Sequence, residues 1–443
     1  MRLKKFRAKG VHGALNINVN FNDHITLLVG INGSGKTTVL NLTSWLLSLK
    51  FGHMLGVGFD ELAVTIFHEA RDLTIKATRR RDDLLITVEG STKEYAPIVV
   101  HFPYPDFRPE LSNTDQIDRL NNGLQPDAEE RPLWEFITQL PKINNITLER
   151  VLSIDDGQFV YLSPDRTPIT SRRPVLTPMQ NVNSIITDIA SALRVRIEKI
   201  DTQLTRDLLL SSFMPKGRFT EEVTLDAMGE IVKNIYKIEQ MLNSNLGINE
   251  SNLDLADYFK ELRFSLQGMT DSSGSNVLKD FIYLQSEMLR LRNVSQAFDR
   301  AQQKKNQANW KWDLYIATLN ELFADSGKRI DINRKTQRLY FKFLHAVLDD
   351  AKSPRGVEGL SSGEKQLLIL LTYVAFPQNG SKIIIIDEPE LSLHLRWQEK
   401  FLDAVTPLAD RNLQLIIATH SPAIVGRNKE FCVPMPRMPQ EGL

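Results

Sequence analysis

The sequence is short of several things, and each shortage closes off a class of protein. Only one of its 443 residues is cysteine, Cys432. A single thiol cannot form an intrachain disulfide or a cysteine-rich zinc site, and it suits a reducing compartment. Net charge is missing too: 54 Lys and Arg balance 54 Asp and Glu. No global field therefore draws the chain to nucleic acid or to a membrane, and any such contact needs a local patch. Long apolar runs are absent. Leu367 to Phe376 and Ile383 to Ile386 are the longest, and both are too short to span a bilayer. The basic start, Met1 to Phe6, leads into no apolar signal core. A soluble cytoplasmic protein without membrane contact is expected. The histidines His12, His24, His53, His68, His101 and His345 show no metal-ligand spacing. There is no internal repeat and no low-complexity tract.

What is present begins with Ile25 to Val29, a short apolar run of strand type. It leads into Gly30-Ile31-Asn32-Gly33-Ser34-Gly35-Lys36-Thr37-Thr38, which fits G-x-x-x-x-G-K-[ST]. An apolar-rich stretch with helical spacing, Val39 to Leu47, follows. Strand, glycine loop and helix in that order are the setting of a phosphate-binding loop. Glycines let backbone N–H groups turn inward toward an anion, and the helix adds its positive end. Asn32, Gly33, Ser34, Gly35, Lys36, Thr37 and Thr38 are the expected nucleotide contacts. Lys36 would reach the β- and γ-phosphates, and the Thr37 hydroxyl would ligate Mg²⁺.

The length suggests two or three structural units. Leu15 to Phe21 alternates as a half-buried strand, and Leu62–Phe67, Leu73–Thr78, Leu84–Val88 and Ile98–Phe102 read as further strands with polar turns. They predict an antiparallel sheet attached to the nucleotide core. The proline-rich stretch 103–132 reads as irregular, Phe159 to Leu162 as a strand and Pro164 to Pro178 as a loop. Between about 183 and 325 the spacing turns helical, as in Ile185, Ile189, Leu193, Ile197 and Ile200. Breaks at Pro215 to Gly217, Gly247 and Gly268 to Gly274 predict several helices there rather than one long one. Strands return at Arg329 to Asn333 and Leu339 to Phe343. The expected plan is an N-terminal lobe over 1–182, a helical insertion over 183–325 and a C-terminal lobe over 326–443.

Three motifs crowd into the last lobe. Leu360 to Gln366 places Ser361, Ser362 and Gly363 at a helix start, leaving N–H groups and hydroxyls free for an anion. Ile383 to Ile386 reads as a strand buried on both faces, ending in Asp387-Glu388. Ligands sit at that end of strands in open α/β sheets. Asp387 can hold Mg²⁺ directly or through water, and Glu388 is placed to polarise an attacking water. Leu415 to Thr419 is a second buried strand, and His420 at its end is expected to sense the γ-phosphate.

Taken together, Gly30–Thr37, Leu360–Gln366, Ile383–Glu388, Glu390–His394 and Thr419–Pro422 resemble the Walker A, signature, Walker B, D-loop and switch-histidine segments of ABC-type ATPase heads of the OLD, RecF and SMC class. The set is also similar to ATPase subunits of the anti-phage systems Septu and PARIS. The fold implied is α/β: an ABC-type P-loop head with an attached antiparallel β subdomain and a helical insertion. The resemblance implies ATP rather than GTP, with Mg²⁺. It also implies two heads packed head to tail, so that the Walker A of one faces the signature of the other. A Q-loop glutamine is not assigned; Gln158 and Gln180 both stand as candidates.

Three functions compete on this basis. The first is a regulatory ATPase working with a separate nuclease or toxin in anti-phage defence. The second is a RecF- or SMC-like repair ATPase acting on DNA, for which Arg79-Arg80-Arg81, Arg172-Arg173 and Lys304-Lys305 are candidate phosphate contacts. The third, a transporter subunit, fits a large insertion poorly. Zinc-hook repair ATPases need a C-x-x-C that this sequence lacks. Nuclease-bearing OLD proteins carry a Toprim domain with a glutamate and an Asp-x-Asp pair after the head, and the residues following His420 contain no Asp. ATP hydrolysis without nuclease activity is expected.

Overall fold

A computed structural model describes residues 1–81, 83–101, 124–146, 178–212, 257–258, 260–261, 264, 277–333, 335–344, 353–378 and 380–435. Among them, two compact units are formed by Met1–Asp188 with Lys311–Leu443, and by Ile189–Trp310.

The first unit is built on a parallel sheet. Its strands are β3 (Ile25–Val29), β8 (Ile143–Ile146), β12 (Ile383–Asp387), β13 (Gln414–Thr419) and β14 (Cys432–Pro434), in the order β14-β3-β13-β12-β8. The middle strands are apolar on both faces because both faces are covered. Ile383 and Ile385 join one core with Leu28, Ile416 and the helix α1 (Lys36–Leu47). Ile384 and Ile386 join the other core with Leu27, Ile417 and the helices α6 (Ser362–Ala375) and α7 (Leu395–Leu408). The strand period of two thus sorts the isoleucines between two cores. Full burial of each such side chain is worth about 1.5–3 kcal/mol.

A second sheet closes the first core. It runs β2-β1-β4-β5-β6-β7, with β1 (Arg2–Val11), β2 (Leu15–Asn20), β4 (Glu61–His68), β5 (Arg71–Arg79), β6 (Asp83–Glu89) and β7 (Ile98–His101). Every pairing in it is antiparallel. The alternation of Leu15, Ile17 and Val19 is realised as buried residues separated by exposed asparagines. A third, three-stranded sheet holds β9 (Lys328–Ile332), β10 (Leu339–Phe343) and β11 (Arg355–Gly356).

The helical stretch departs from expectation in the length of its helices. Among the described residues it holds α4 (Pro178–Ser212) and α5 (Val277–Ala324), of 35 and 48 residues, with further helical residues between 257 and 264. At 1.5 Å per residue, α5 alone is about 70 Å long, so the argument against a long helix is corrected. The reason is local: α5 contains neither Pro nor Gly, and the only Pro of α4 is its first residue. All the breaks read from the sequence lie between the two helices, outside the described residues. The Asp201 carboxylate of α4 meets the Lys305 ammonium of α5 at 2.6 Å. Val182 and Ile186 of α4 and Tyr315, Leu319, Leu322 and Phe323 of α5 belong to the second core of the first unit. That packing is why the units divide inside the expected borders at 183 and 325.

The irregular reading of 103–132 holds for residues 124–130, while a helix, α3 (Arg131–Gln139), begins at Arg131. Its Pro132 occupies the first turn, where a missing N–H costs nothing. The proposed strand 159–162, Gln158 and Arg172-Arg173 lie outside the described residues. Among the described residues no helix is long and apolar enough to cross a membrane.

Candidate nucleotide site

Register brings the motifs together. In the parallel sheet Asp387 pairs with Ala418, Ala418 with Leu28, and Thr419 with Val29. The loop after β3, the acidic turn after β12 and the histidine after β13 therefore leave the sheet at one edge, its carboxyl end.

Gly30 to Gly35 supply the loop after β3. Gly33 and Gly35 have φ of 83° and 86°, in the left-handed region that glycine adopts without strain. Gly30 is required for space, because a Cβ there would lie 2.6 Å from the Ser34 hydroxyl oxygen. Lys36 is nearly fully buried, and its ammonium donates to the carbonyls of Gly30 and Ile31 at 2.9 and 3.2 Å. The Ser34 hydroxyl is buried without a hydrogen-bond partner.

Asp387 faces the loop, near Thr37 and Lys36. Burial pushes its carboxyl above the usual range; Thr37 and the charge of Lys36 oppose this, and Glu388 and Glu390 add to it. Its Oδ1 is buried and unpartnered. A buried hydroxyl within the glycine loop and a buried carboxylate oxygen at the same sheet edge, both lacking partners, fit a phosphate chain with its cation. Mg²⁺ commonly takes one or two protein oxygens and fills its remaining positions with phosphate and water. Among the described residues no group of three or more His, Cys, Asp and Glu is arranged to hold a metal by itself.

Glu388 sits in a left-handed conformation, φ 48°, unusual for a residue with a side chain. Such a residue costs of order 1 kcal/mol and persists only where its surroundings impose it. Here its N–H donates to the Ala418 carbonyl at 2.9 Å and the chain turns into the 3₁₀ segment Pro389–Ser392. The Glu388 carboxylate ends 3.9 Å from His420 Nδ1. Glu390 is nearer, 2.9 Å from the same nitrogen. The sequence had placed Glu390 only at the head of the D-loop segment. Three acids within four residues carry no spacing signal for which one is buried.

The signature segment begins α6. Ser361 is its N-cap in a full capping box: the Ser361 hydroxyl accepts from Glu364 N–H at 3.4 Å, and Glu364 accepts from Ser361 N–H at 2.8 Å. The expectation of an uncommitted Ser361 hydroxyl is thereby corrected, although its own proton stays available to donate. Glu364 is almost fully buried and is gripped by Lys328 at 2.7 and 2.8 Å. Burial alone would raise its pKa; the Lys328 hydrogen bonds, with those of Ser361 and Ser326, hold it below the usual value. Gly363 packs against the turn after Glu388, where a Cβ would meet the Ser392 carbonyl oxygen at 2.5 Å. Ser362 and Thr38 lie in the first turns of α6 and α1, and Asn32 is exposed in the loop. Of the Q-loop candidates, Gln180 lies in the first turn of α4.

Residues 251–426 match the family model described as AAA domain, putative AbiEii toxin, Type IV TA system. A 92-residue stretch is 32% identical to the Retron Ec83 probable ATPase of Escherichia coli, covering 18% of this chain and 17% of that protein. A stretch of 203 residues is 24% identical to the Retron Vc95 probable ATPase of Vibrio cholerae, covering 43% and 39%. The chain is an α/β protein with a P-loop sequence at the carboxyl end of a parallel sheet and an antiparallel sheet beside it. It spans less than half the length of these curated relatives. Among solved structures it is similar to the Smc head domain with an extended coiled coil derived from Pyrococcus furiosus, at TM-score 0.40 and 14% identity, over 98% of this chain and 94% of that one.

Proposed function

We propose that the protein is an ATP-hydrolysing regulatory ATPase that dimerises head to tail around ATP and controls a separate nuclease or toxin in bacterial anti-phage defence. The observation that carries the chemistry is the register that gathers the P-loop, Asp387-Glu388 and His420 at one sheet edge. The resemblance to defence ATPases and the likeness to two retron ATPases support the setting.

In this reading the inward N–H groups of 32–38 and the Lys36 ammonium hold the β- and γ-phosphates. Lys36 exchanges two backbone carbonyls for phosphate oxygens when nucleotide enters. Thr37 and Asp387 would hold Mg²⁺, which would supply charge neutralisation at the phosphates. Burial and two neighbouring acids make Asp387 a group that gains from a cation. Glu388 polarises the attacking water and accepts its proton, and His420 contacts the γ-phosphate. The signature residues Ser361, Ser362 and Gly363 complete the site of a second copy, because a helix start with a donating hydroxyl is complementary to an anion. Cleavage or killing is assigned to the effector.

Light scattering tests the composite site. The Glu388→Gln chain with ATP and Mg²⁺ should double in mass, and should return to the starting mass when Mg²⁺ is chelated. An unchanged mass with nucleotide bound would contradict the head-to-tail arrangement.

A further inference from the structure

Glu390 is the most deeply buried acid of the Asp387-Glu388-Pro389-Glu390 run, with a side chain 5% exposed against 30% for Glu388. Its Oε1 accepts from the His420 backbone N–H at 2.7 Å and lies 2.9 Å from the His420 ring at Nδ1. Its Oε2 is buried with no partner. The carboxylate is thus committed to His420. Glu388, at 3.9 Å from the same nitrogen, is beyond hydrogen-bond reach.

From this geometry we infer that Glu390 is a positioning residue for His420, fixing the imidazole with its proton on Nδ1 and presenting Nε2 to the γ-phosphate side of the site. This rests on the reading of the site as an ATPase centre. An ionised carboxylate can only accept, so the 2.9 Å contact requires Nδ1 to be the donor. Nε2 is then the ring nitrogen left for a bound group. Holding the backbone N–H and the ring with one oxygen removes both the ring flip and the movement of the segment that carries it. The clamp is itself tied down. Gln398 of α7 donates to the Glu390 carbonyl at 3.2 Å and the Leu393 carbonyl at 2.8 Å, and its oxygen accepts from the Ser421 hydroxyl at 2.7 Å. The turn after β12 and the segment after β13 are held as one piece. The arrangement follows the general pattern in which a carboxylate behind a histidine sets its tautomer and orientation.

A double-mutant cycle in the full chain separates this role from a merely structural one. Glu390→Ala should lower kcat roughly 10- to 100-fold, with KM and nucleotide Kd within about twofold. In a His420→Ala background the same substitution should change kcat by less than about twofold, because it acts only through the ring. Glu390→Gln keeps the shape and one acceptor oxygen, and should lose less than Glu390→Ala. Selective ¹⁵N-histidine labelling, with His420 identified by its absence in His420→Ala, reads the tautomer directly. The wild-type ring should be protonated at Nδ1, and Glu390→Ala should lose that preference. Losses that multiply in the double variant, or a His420 ring protonated only at Nε2 in the wild type, would overturn the assignment. If the wild type released no phosphate, the ATPase reading would fail, while the ¹⁵N spectra would still decide the pairing.

Discussion

Replacing Gly363 by alanine adds one methyl group at a place with no room for it. The new Cβ would lie 2.5 Å from the Ser392 carbonyl oxygen and 3.7 Å from Trp397 Cζ3. The oxygen belongs to the backbone, so no rotamer change relieves the contact. An ordinary separation begins near 3.4 Å, which asks for a displacement of about 0.9 Å. Either the start of α6 moves or the turn after Glu388 does. A misplacement near 1 Å in a catalytic assembly costs on the order of 100-fold in rate, or about 2.7 kcal/mol. Overpacking of this kind also costs about 1–3 kcal/mol of stability. The Gly363→Ala chain should therefore fold with a lowered Tm and lose about two decades in kcat for phosphate release. Its affinity for a fluorescent ATP analogue at the P-loop should stay within a few-fold, because Gly30 to Thr37 are untouched. A folded variant with wild-type kcat would refute the close-approach argument. An equal loss of affinity and turnover would show that α6 and the P-loop do not act separately.

Further outcomes follow from the same geometry. Thr37→Val removes the hydroxyl near Asp387 while keeping the shape, and should lower Mg²⁺-dependent turnover by about 100-fold; turnover equal to the wild type across a Mg²⁺ titration counts against Thr37 as a ligand. The Lys328–Glu364 pair sets a pH dependence. Its carboxyl is held below the usual 4.5, so the stability it contributes is present above that pH and lost as pH falls through the lower folded value. Glu364→Gln should flatten the acid limb of a Tm-against-pH curve, and an acid limb identical to the wild type would show the pair to be neutral.

Local signals were legible in the sequence, and long-range ones were not. The glycine loop, the four isoleucines of β12 and the alternation of β2 declare themselves because their chemistry is contained within a few neighbours. β8 was hidden: Ile-Asn-Asn-Ile has only two apolar residues, and it is a strand because β12 offers it an edge. The helix α3 was hidden behind Pro132, which reads as a breaker unless the helix start is already known. The length of α5 was masked because breaks belonging to residues before it were counted against the whole stretch. Glu390 and Lys328 gained their roles from partners 30 and 36 residues away, a relation that no spacing rule carries.

The central claim is that one sheet edge binds ATP and hydrolyses it. Phosphate release, measured alongside nucleotide affinity for the wild type, Lys36→Ala and Glu388→Gln, tests it most directly. The wild type should turn over with Mg²⁺. Lys36→Ala should lose binding and turnover together, because the buried ammonium proposed to hold the phosphates is gone. Glu388→Gln should bind as the wild type does and lose turnover by about 100-fold or more, since an amide cannot accept the proton of the attacking water. Unchanged turnover in Glu388→Gln, or wild-type affinity in Lys36→Ala, would contradict the account.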